Sequence, residues 1–291
     1  MVAFFQRLQN IDRRVLYALL AIVIAIPLAV RVPTGKPVVL PQTQNYFDAI
    51  ESVARDPVAS KKLVLVATNF SSSTATENLT QTEATLRQIM GHKLRFAIFV
   101  FSDPQGRDLG QRLAEQLAPE FGYVYGRDWV NWGYKAGDPA LNLKALVRDV
   151  PGTIGTDIRG TPLAQMPVMQ NVKTVDDIGL VTEIASAATL EYWLAYFRAA
   201  GTGEPIPLLF ACTAVMAPEA LPFLKSGQIQ GLLNGLKGAG EYEVLVGKAG
   251  FGSKASAALS FSHFLILFLI VLGNVGMFVT RSRAGRQAGS R

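Results

Sequence analysis

The sequence is poor in the residues on which many catalytic and metal-binding sites depend. It contains one cysteine, Cys212, and two histidines, His92 and His263. A single cysteine excludes an internal disulfide. An exported domain without disulfides is ordinary for a bacterium. With one histidine in a turn and the other in an apolar run, neither a histidine metal site nor a Ser-His-Asp triad has a candidate. We therefore expect no metal and no cofactor.

Three common sequence motifs are also missing. No Gly-x-Gly-x-x-Gly follows the first predicted strand, and neither a Walker A sequence nor a Gly-x-Ser-x-Gly sequence occurs. These absences argue against a dinucleotide site, a P-loop and a nucleophile elbow. The sequence thus favours a non-catalytic protein.

Charged residues are absent from two long apolar runs, at 15–30 and 255–280. The second run is long enough to cross a hydrocarbon core of about 30 Å, whereas the first rises only about 24 Å as a helix. We predict transmembrane helices at 15–32 and 255–280. The alternative for the first run is a cleaved signal peptide, but no A-x-A site follows it.

A net charge of +6 could indicate nucleic-acid binding, but the charge is not spread evenly along the chain. Between residues 33 and 253 there are 19 Lys and Arg against 21 Asp and Glu, so the excess lies at the two ends. We therefore expect no nucleic-acid partner. Basic residues beside a span favour the cytoplasmic side, which places segments 1–14 and 281–291 in the cytoplasm. The domain between the spans then faces the periplasm or the exterior.

Residues 45–254, which follow a proline-containing stalk at 33–44, alternate apolar runs with amphipathic stretches. The runs at 63–68, 95–101, 122–129, 178–184 and 207–213 predict five strands separated by helices. This pattern indicates a doubly wound, mostly parallel α/β domain of the Rossmann or flavodoxin type. Segment 151–177 interrupts the pattern and is either a mobile lid or a packed excursion.

Polar residues follow the predicted strands, where open α/β sheets bind ligands. Asp103, Asp128 and Glu183 also leave room for carboxylate chemistry. The alternative is that such residues only cap helices and fill turns. The weak ligand candidates are Asn69, Ser71, Ser72, Ser73, Asp103, Arg107 and Glu183.

Aromatic and glycine clusters favour packing or protein contacts. Trp129, Trp132 and Tyr134 indicate burial or an interface rather than a ligand. Gly231 and Gly235 lie in a leucine-containing stretch, which predicts a glycine-rich helix that packs on a neighbouring subunit or the membrane. The alternative there is a flexible segment.

Polar residues also occur in the second predicted span, where His263 and Asn274 lie on one helical stripe. Polar side chains in a span generally face protein, so we expect this stripe to contact another helix. The leading expectation is a non-catalytic structural subunit of a homo- or hetero-oligomeric membrane complex. The alternatives are a small-ligand or sensory domain, and a carboxylate-dependent envelope hydrolase or transferase.

Overall fold

The computed structural model describes residues 12–30 and 38–288, the last ten of them as backbone only. Residues 1–11, 31–37 and 289–291 lie outside it, and with them part of the predicted first span, stalk and termini. The chain divides into two units, 1–35 with 254–291, and 36–253. The second unit is the α/β domain.

Helices and short strands alternate along the described chain, as the sequence predicts. In chain order they are α1 (Arg13–Ala29), α2 (Pro41–Arg55), β1 (Leu63–Asn69), α3 (Ala75–Gly91), β2 (Phe96–Val100), α4 (Gln105–Phe121), β3 (Trp129–Tyr134), α5 (Pro139–Arg148), α6 (Val150–Ile154), β4 (Ile178–Ala185), α7 (Leu190–Tyr196), β5 (Leu208–Cys212), α8 (Ala217–Lys225), β6 (Gly231–Asn234), α9 (Gly235–Leu245) and α10 (Phe251–Ala288).

The strands form one parallel sheet in the order β3-β2-β1-β4-β5-β6. This is the Rossmann strand order, and its switch point lies between β1 and β4. The α/β prediction is confirmed, but the prediction of five strands is wrong because there are six. The additional strand, β6, lies in the stretch that we interpreted as a glycine-rich helix.

Both faces of the sheet are covered, which explains why its strands are apolar throughout. Residues of α2, α3, α4 and α9 pack on one face, and residues of α5, α6, α7 and α8 pack on the other. Segment 151–177 adds Leu163, Val168 and Val175 to the core of the second face. The segment is therefore the packed excursion rather than the lid.

Helix α10 contains one stretch, Phe251–Phe278, that is long and apolar enough to cross a membrane. Among the described residues no other helix meets this criterion of length and composition. Helix α1 is shorter, at 17 residues, and contains Pro27. The structure thus offers one candidate span where the sequence predicts two.

Candidate functional site

The switch point of the sheet is occupied by four buried side chains that bond to one another. Asn69, the last residue of β1, donates from Nδ2 to both carboxyl oxygens of Glu183 on β4, at 3.0 and 3.1 Å. Thr189 donates its hydroxyl to the same carboxyl, and Trp193 donates from Nε1 at 2.8 Å. We call Asn69, Glu183, Thr189 and Trp193 the switch-point cluster.

The cluster also joins β1 to the end of β2. Asn69 Oδ1 accepts hydrogen bonds from the backbone amides of Phe101, at 2.9 Å, and Ser102, at 3.0 Å. The side-chain oxygen and nitrogen of Asn69 are thus both bonded inside the domain. The neighbouring Phe70 is fully buried in the core. Asn69 thus connects the carboxyl ends of β1 and β2 to Glu183 on β4.

Glu183 is fully buried among neutral partners. Burial raises the pKa of this carboxyl to about 7, although the hydrogen bonds from Thr189, Asn69 and Trp193 oppose the rise. A pKa near neutrality suits a general acid or base. Such a group must also reach its substrate, and here the carboxyl is inaccessible to solvent. The hydrogen bonds of Glu183 therefore join β4 to β1 and to α7.

The other predicted strand-end residues make local contacts. Ser71 and Ser73 share a hydrogen bond of 2.7 Å between their hydroxyls, and the Ser72 amide donates to Gln105. Asp103 accepts from the Gln105 amide at 2.9 Å, which is the contact of a turn residue. Their positions bring these residues to the same sheet edge as Asn69.

Arg107 and Asp128 are the remaining charged candidates, and neither lies beside Glu183. Arg107 pairs with the adjacent Asp108 at 2.8 Å, which holds the pKa of that carboxyl below its usual range. Asp128 precedes β3, so it lies at the amino edge of the sheet, opposite Glu183. Asp103, Asp128 and Glu183 therefore do not converge. Asp128 lies apart from the other two acids because the third strand begins at Trp129, later than the sequence predicts.

Sequence reasoning missed a buried polar stripe along α3, formed by Asn78, Gln81, Thr82, Thr85 and Gln88. Gln81 Nε2 donates to the backbone carbonyls of Cys212, Leu233 and Gly235, at 2.9, 3.3 and 3.2 Å. These bonds cover the carboxyl ends of β5 and β6. The signal in the sequence is the helical spacing of polar residues, which an analysis of apolar periodicity overlooks.

A chain of hydrogen bonds continues from this stripe through the core. The Tyr46 hydroxyl bonds to Thr182 on β4 and to Thr85 on α3. Burial raises the pKa of Tyr46 to about 12, so its hydroxyl stays protonated. The core between α2, α3 and the sheet is thus fixed by specific polar contacts as well as by apolar packing.

The same chain reaches the surface beside α2. Tyr242 donates to Gln88, and Gln88 Nε2 donates to Glu51 at 3.0 Å. Glu51 also bonds to His92 and to Arg55. Burial alone would raise the pKa of Glu51, but the hydrogen bonds from Gln88 and His92 lower it below its ordinary value.

Helix α9 holds both ends of the domain. Glu241 Oε2 accepts from the Leu40 amide at 3.0 Å and from the Thr43 hydroxyl at 2.8 Å, at the start of α2. Glu243 accepts from the amides of Gly250, Gly252 and Ser253, each at 2.8 Å, at the start of α10. Two carboxylates, two residues apart, thus bind the first and last segments of the domain.

The predicted interface residues of the domain make internal contacts. Trp129 and Trp132 are buried, and Trp129 stacks on Phe96 with ring centroids 5.7 Å apart. Tyr134 is partly exposed at the end of β3. The aromatic cluster therefore belongs mainly to the core.

The glycine-rich helix is a wrong prediction over residues 231–234, which form β6. A Cβ on Gly231 would lie 2.3 Å from Tyr46 Cα, so this glycine allows α2 to approach β6 closely. Gly235 has φ +55° and lies against Ala214 and Glu77. The close backbone approach that we expected of a neighbouring subunit is thus made within the domain.

His263 and Asn274 lie exposed on α10. No structural contact in the described part of the chain tests their predicted role. Within residues 12–30 and 38–288, no group of three or more His, Cys, Asp or Glu side chains could hold a metal ion.

No protein-family model matches the sequence, and no curated protein matches it. Among solved structures, the chain is similar to an α,α-trehalose-phosphate synthase (UDP-forming) from Burkholderia vietnamiensis, with 12% identity and a TM-score of 0.35. The match covers 87% of this chain and 52% of that protein, so the chain spans about half its length. A likeness this remote carries no functional argument, and the function must be argued from the site itself.

Proposed function

We propose that the protein is a non-catalytic subunit of a membrane protein assembly, with its Rossmann-type domain held outside the cytoplasmic membrane. The observation that carries this proposal is the switch-point cluster. Asn69 and Glu183 lie where this fold binds its ligands, and they are bonded to each other and buried. The polar groups that would recognise a substrate are engaged in holding β1, β2 and β4 together.

The proposal includes two membrane helices, one at each end of the domain. Large apolar side chains are exposed along both α1 and α10, among them Tyr17, Ile22, Phe264 and Leu267. Such a density of exposed apolar side chains is typical of surfaces that lipid or another protein covers. The basic residues beside both runs favour cytoplasmic termini and an outward domain.

The attachment of both domain ends to α9 supports an assembly role. Glu241 and Glu243 fix the first and last segments of the domain by hydrogen bonds to backbone amides. Ends that are fixed to the domain in this way suit a component that binds other subunits through a rigid surface. A ligand-binding sensor would instead need an open crevice at the switch point.

The experiment is the native mass of the full chain after gentle solubilisation from its own membrane, with identification of the co-purifying chains. We expect a defined complex much larger than the 31.5 kDa chain. Ser72→Ala and Asp103→Ala, which remove an exposed and a partly buried polar group at the sheet edge, should leave that complex intact. A monomer in detergent would contradict the proposal and favour a ligand-binding role.

A further inference from the structure

The surface of α8 is unusually apolar for an exposed helix. Val215, in the turn before α8, has 85% of its surface exposed, and Leu221 has 37%. Pro218 and Pro222 are exposed on α8 itself. At 100° per residue, Pro218 and Pro222 lie about 40° apart on the same face of the helix.

A separate cleft of about 170 Å³ lies between α7 and α8, on a different side of α8 from Pro218 and Pro222. Its apolar lining includes Phe210 and Ala220, which are buried, and Met216 and Phe223, which are partly buried. A cleft of this size and lining suits one apolar side chain from another molecule. Apolar pockets that receive a single anchor are common at the centre of protein interfaces.

Two acidic residues at the cleft favour a partner that carries a positive charge there. Glu191 on α7 and Glu219 on α8 both line it, and both are exposed. Neither forms an ion pair with any described residue. Two carboxylates beside an apolar cleft are complementary to an apolar side chain flanked by Lys or Arg.

We propose that the α7–α8 cleft docks a different subunit of the same assembly, which inserts one apolar side chain into the cleft and sets a Lys or Arg against Glu219 and Glu191. The inference rests on the proposed assembly role and names the docking surface. A second copy of this chain is the poorer occupant, because a two-fold contact with its axis near the cleft would bring the like-charged Glu219 side chains of the two copies close together.

The first test is site-specific photocrosslinking in the native membrane, with Val215 replaced by p-benzoyl-phenylalanine in the full chain. We expect a crosslink to a chain that also co-purifies in the native complex. The matched control is the same replacement at Leu141, on α5, which is 65% exposed. That position should give no crosslink to the same chain.

The second test is reversal of charge at the cleft. Glu191→Lys together with Glu219→Lys should reduce the amount of co-purifying partner by about tenfold, because like charges would then face each other. Replacing a Lys or Arg near the crosslinked site of the partner with Glu should restore binding. Glu204→Lys, at an exposed acid outside the cleft, should leave the complex unchanged. Thermal melting of each variant checks that the fold is intact.

The results separate this inference from the proposed function. If the complex forms but Val215 gives no crosslink and the double charge reversal has no effect, the docking surface is wrong and the assembly role stands. A crosslink from Val215 to a second copy of this chain would also overturn the inference. If no complex exists, both proposals fail.

Discussion

At the scale of single residues, Glu183 has the most unusual surroundings in the domain. The residue interrupts an apolar strand and is fully buried, and its partners Thr189, Asn69 and Trp193 are neutral. A carboxyl in such a place is costly to ionise. It is therefore the residue through which pH should act most directly on the stability of the sheet.

The pH dependence follows from the sign of the pKa shift. The pKa of Glu183 is raised from 4.5 to about 7 in the folded protein. Between these values the unfolded chain loses the proton and the folded chain keeps it, so the stabilisation is present at low pH and is lost as pH rises through about 7. This difference corresponds to about 3 kcal/mol. Glu183→Gln should therefore gain stability relative to the parent protein between pH 5 and 8.

The measurement is the free energy of unfolding of both proteins across that pH range, with Glu204→Gln as a surface control. If the stability curves of the parent and Glu183→Gln stay parallel across this range, the pKa of Glu183 is not raised in the folded protein.

At the scale of elements, close contacts between helices and strands decide the architecture. A Cβ on Gly106, in α4, would lie 1.7 Å from the Thr68 carbonyl oxygen on β1. The Thr68 hydroxyl also donates to the Gly106 carbonyl at 3.0 Å. Helix α4 thus approaches β1 as closely as a backbone allows, and only glycine permits this approach.

Gly106→Ala should lower the free energy of unfolding by about 3 kcal/mol or more, since the backbone of β1 must move to admit the methyl group. Gly203→Ala is the matched control because an added Cβ there meets open space. Denaturant titration of both variants checks the prediction. Equal stabilities would mean that α4 can shift away from β1 without cost.

Glu243→Ala should release the segment at the start of α10. The carboxylate accepts hydrogen bonds from the amides of Gly250, Gly252 and Ser253, and bonds to charged groups contribute about 1.5–3 kcal/mol each. We expect amide hydrogen exchange over residues 250–253 to accelerate by at least about tenfold. Glu241→Ala should instead expose the Leu40 amide and leave 250–253 protected. If amide exchange over residues 250–253 is unchanged in Glu243→Ala, contacts other than those of Glu243 protect this segment.

The sequence predicts four of the six strands well, and β3 and β6 poorly. β1, β2, β4 and β5 coincide with apolar runs, because strands covered on both faces have no polar alternation. β6 has four residues, Gly231–Asn234. Its leucines continue a helical spacing that includes Ile229 and Leu236, and a run this short cannot be assigned by periodicity. Its identity as a strand depends on pairing with β5, which is a tertiary contact.

The candidate site shows the same limit. The positions of strand ends predict that Asn69 and Glu183 lie on one edge, but not that they bond to each other. Their burial depends on Trp193 and Thr189 of a later segment. The polar stripe on α3 is invisible to a search for apolar faces, although Gln81 and Thr85 follow helical spacing. Contacts between elements that are distant in sequence decide whether a polar residue is free or engaged.

At the scale of the whole molecule, the orientation of the chain across a membrane is the largest untested prediction. Lys173 is exposed on the domain, and Ser290 lies in the basic tail beyond the described residues. Burial raises the pKa of the Cys212 thiol to about 12, with a smaller contribution from Glu77. The native cysteine is therefore inert to maleimides in the folded protein.

Single introduced cysteines test this orientation. Lys173→Cys should react with a membrane-impermeant maleimide in intact cells, after removal of an outer membrane where one is present. Ser290→Cys should react only after the membrane is permeabilised. The unmodified chain, with Cys212 alone, is the control for background labelling. Labelling of Ser290→Cys in intact cells would reverse the proposed topology.

The attachment of both domain ends to α9 has a mechanical consequence. A pull that enters at Leu40 and leaves at Ser253 is borne first by Glu241 and Glu243, on one helix. The ladder of six strands lies outside this load path. In an optical trap, a domain pulled by its ends should first release only those ends, in a short low-force extension. Tension along the chain would thus be absorbed at α9 before any strand is sheared from its neighbour.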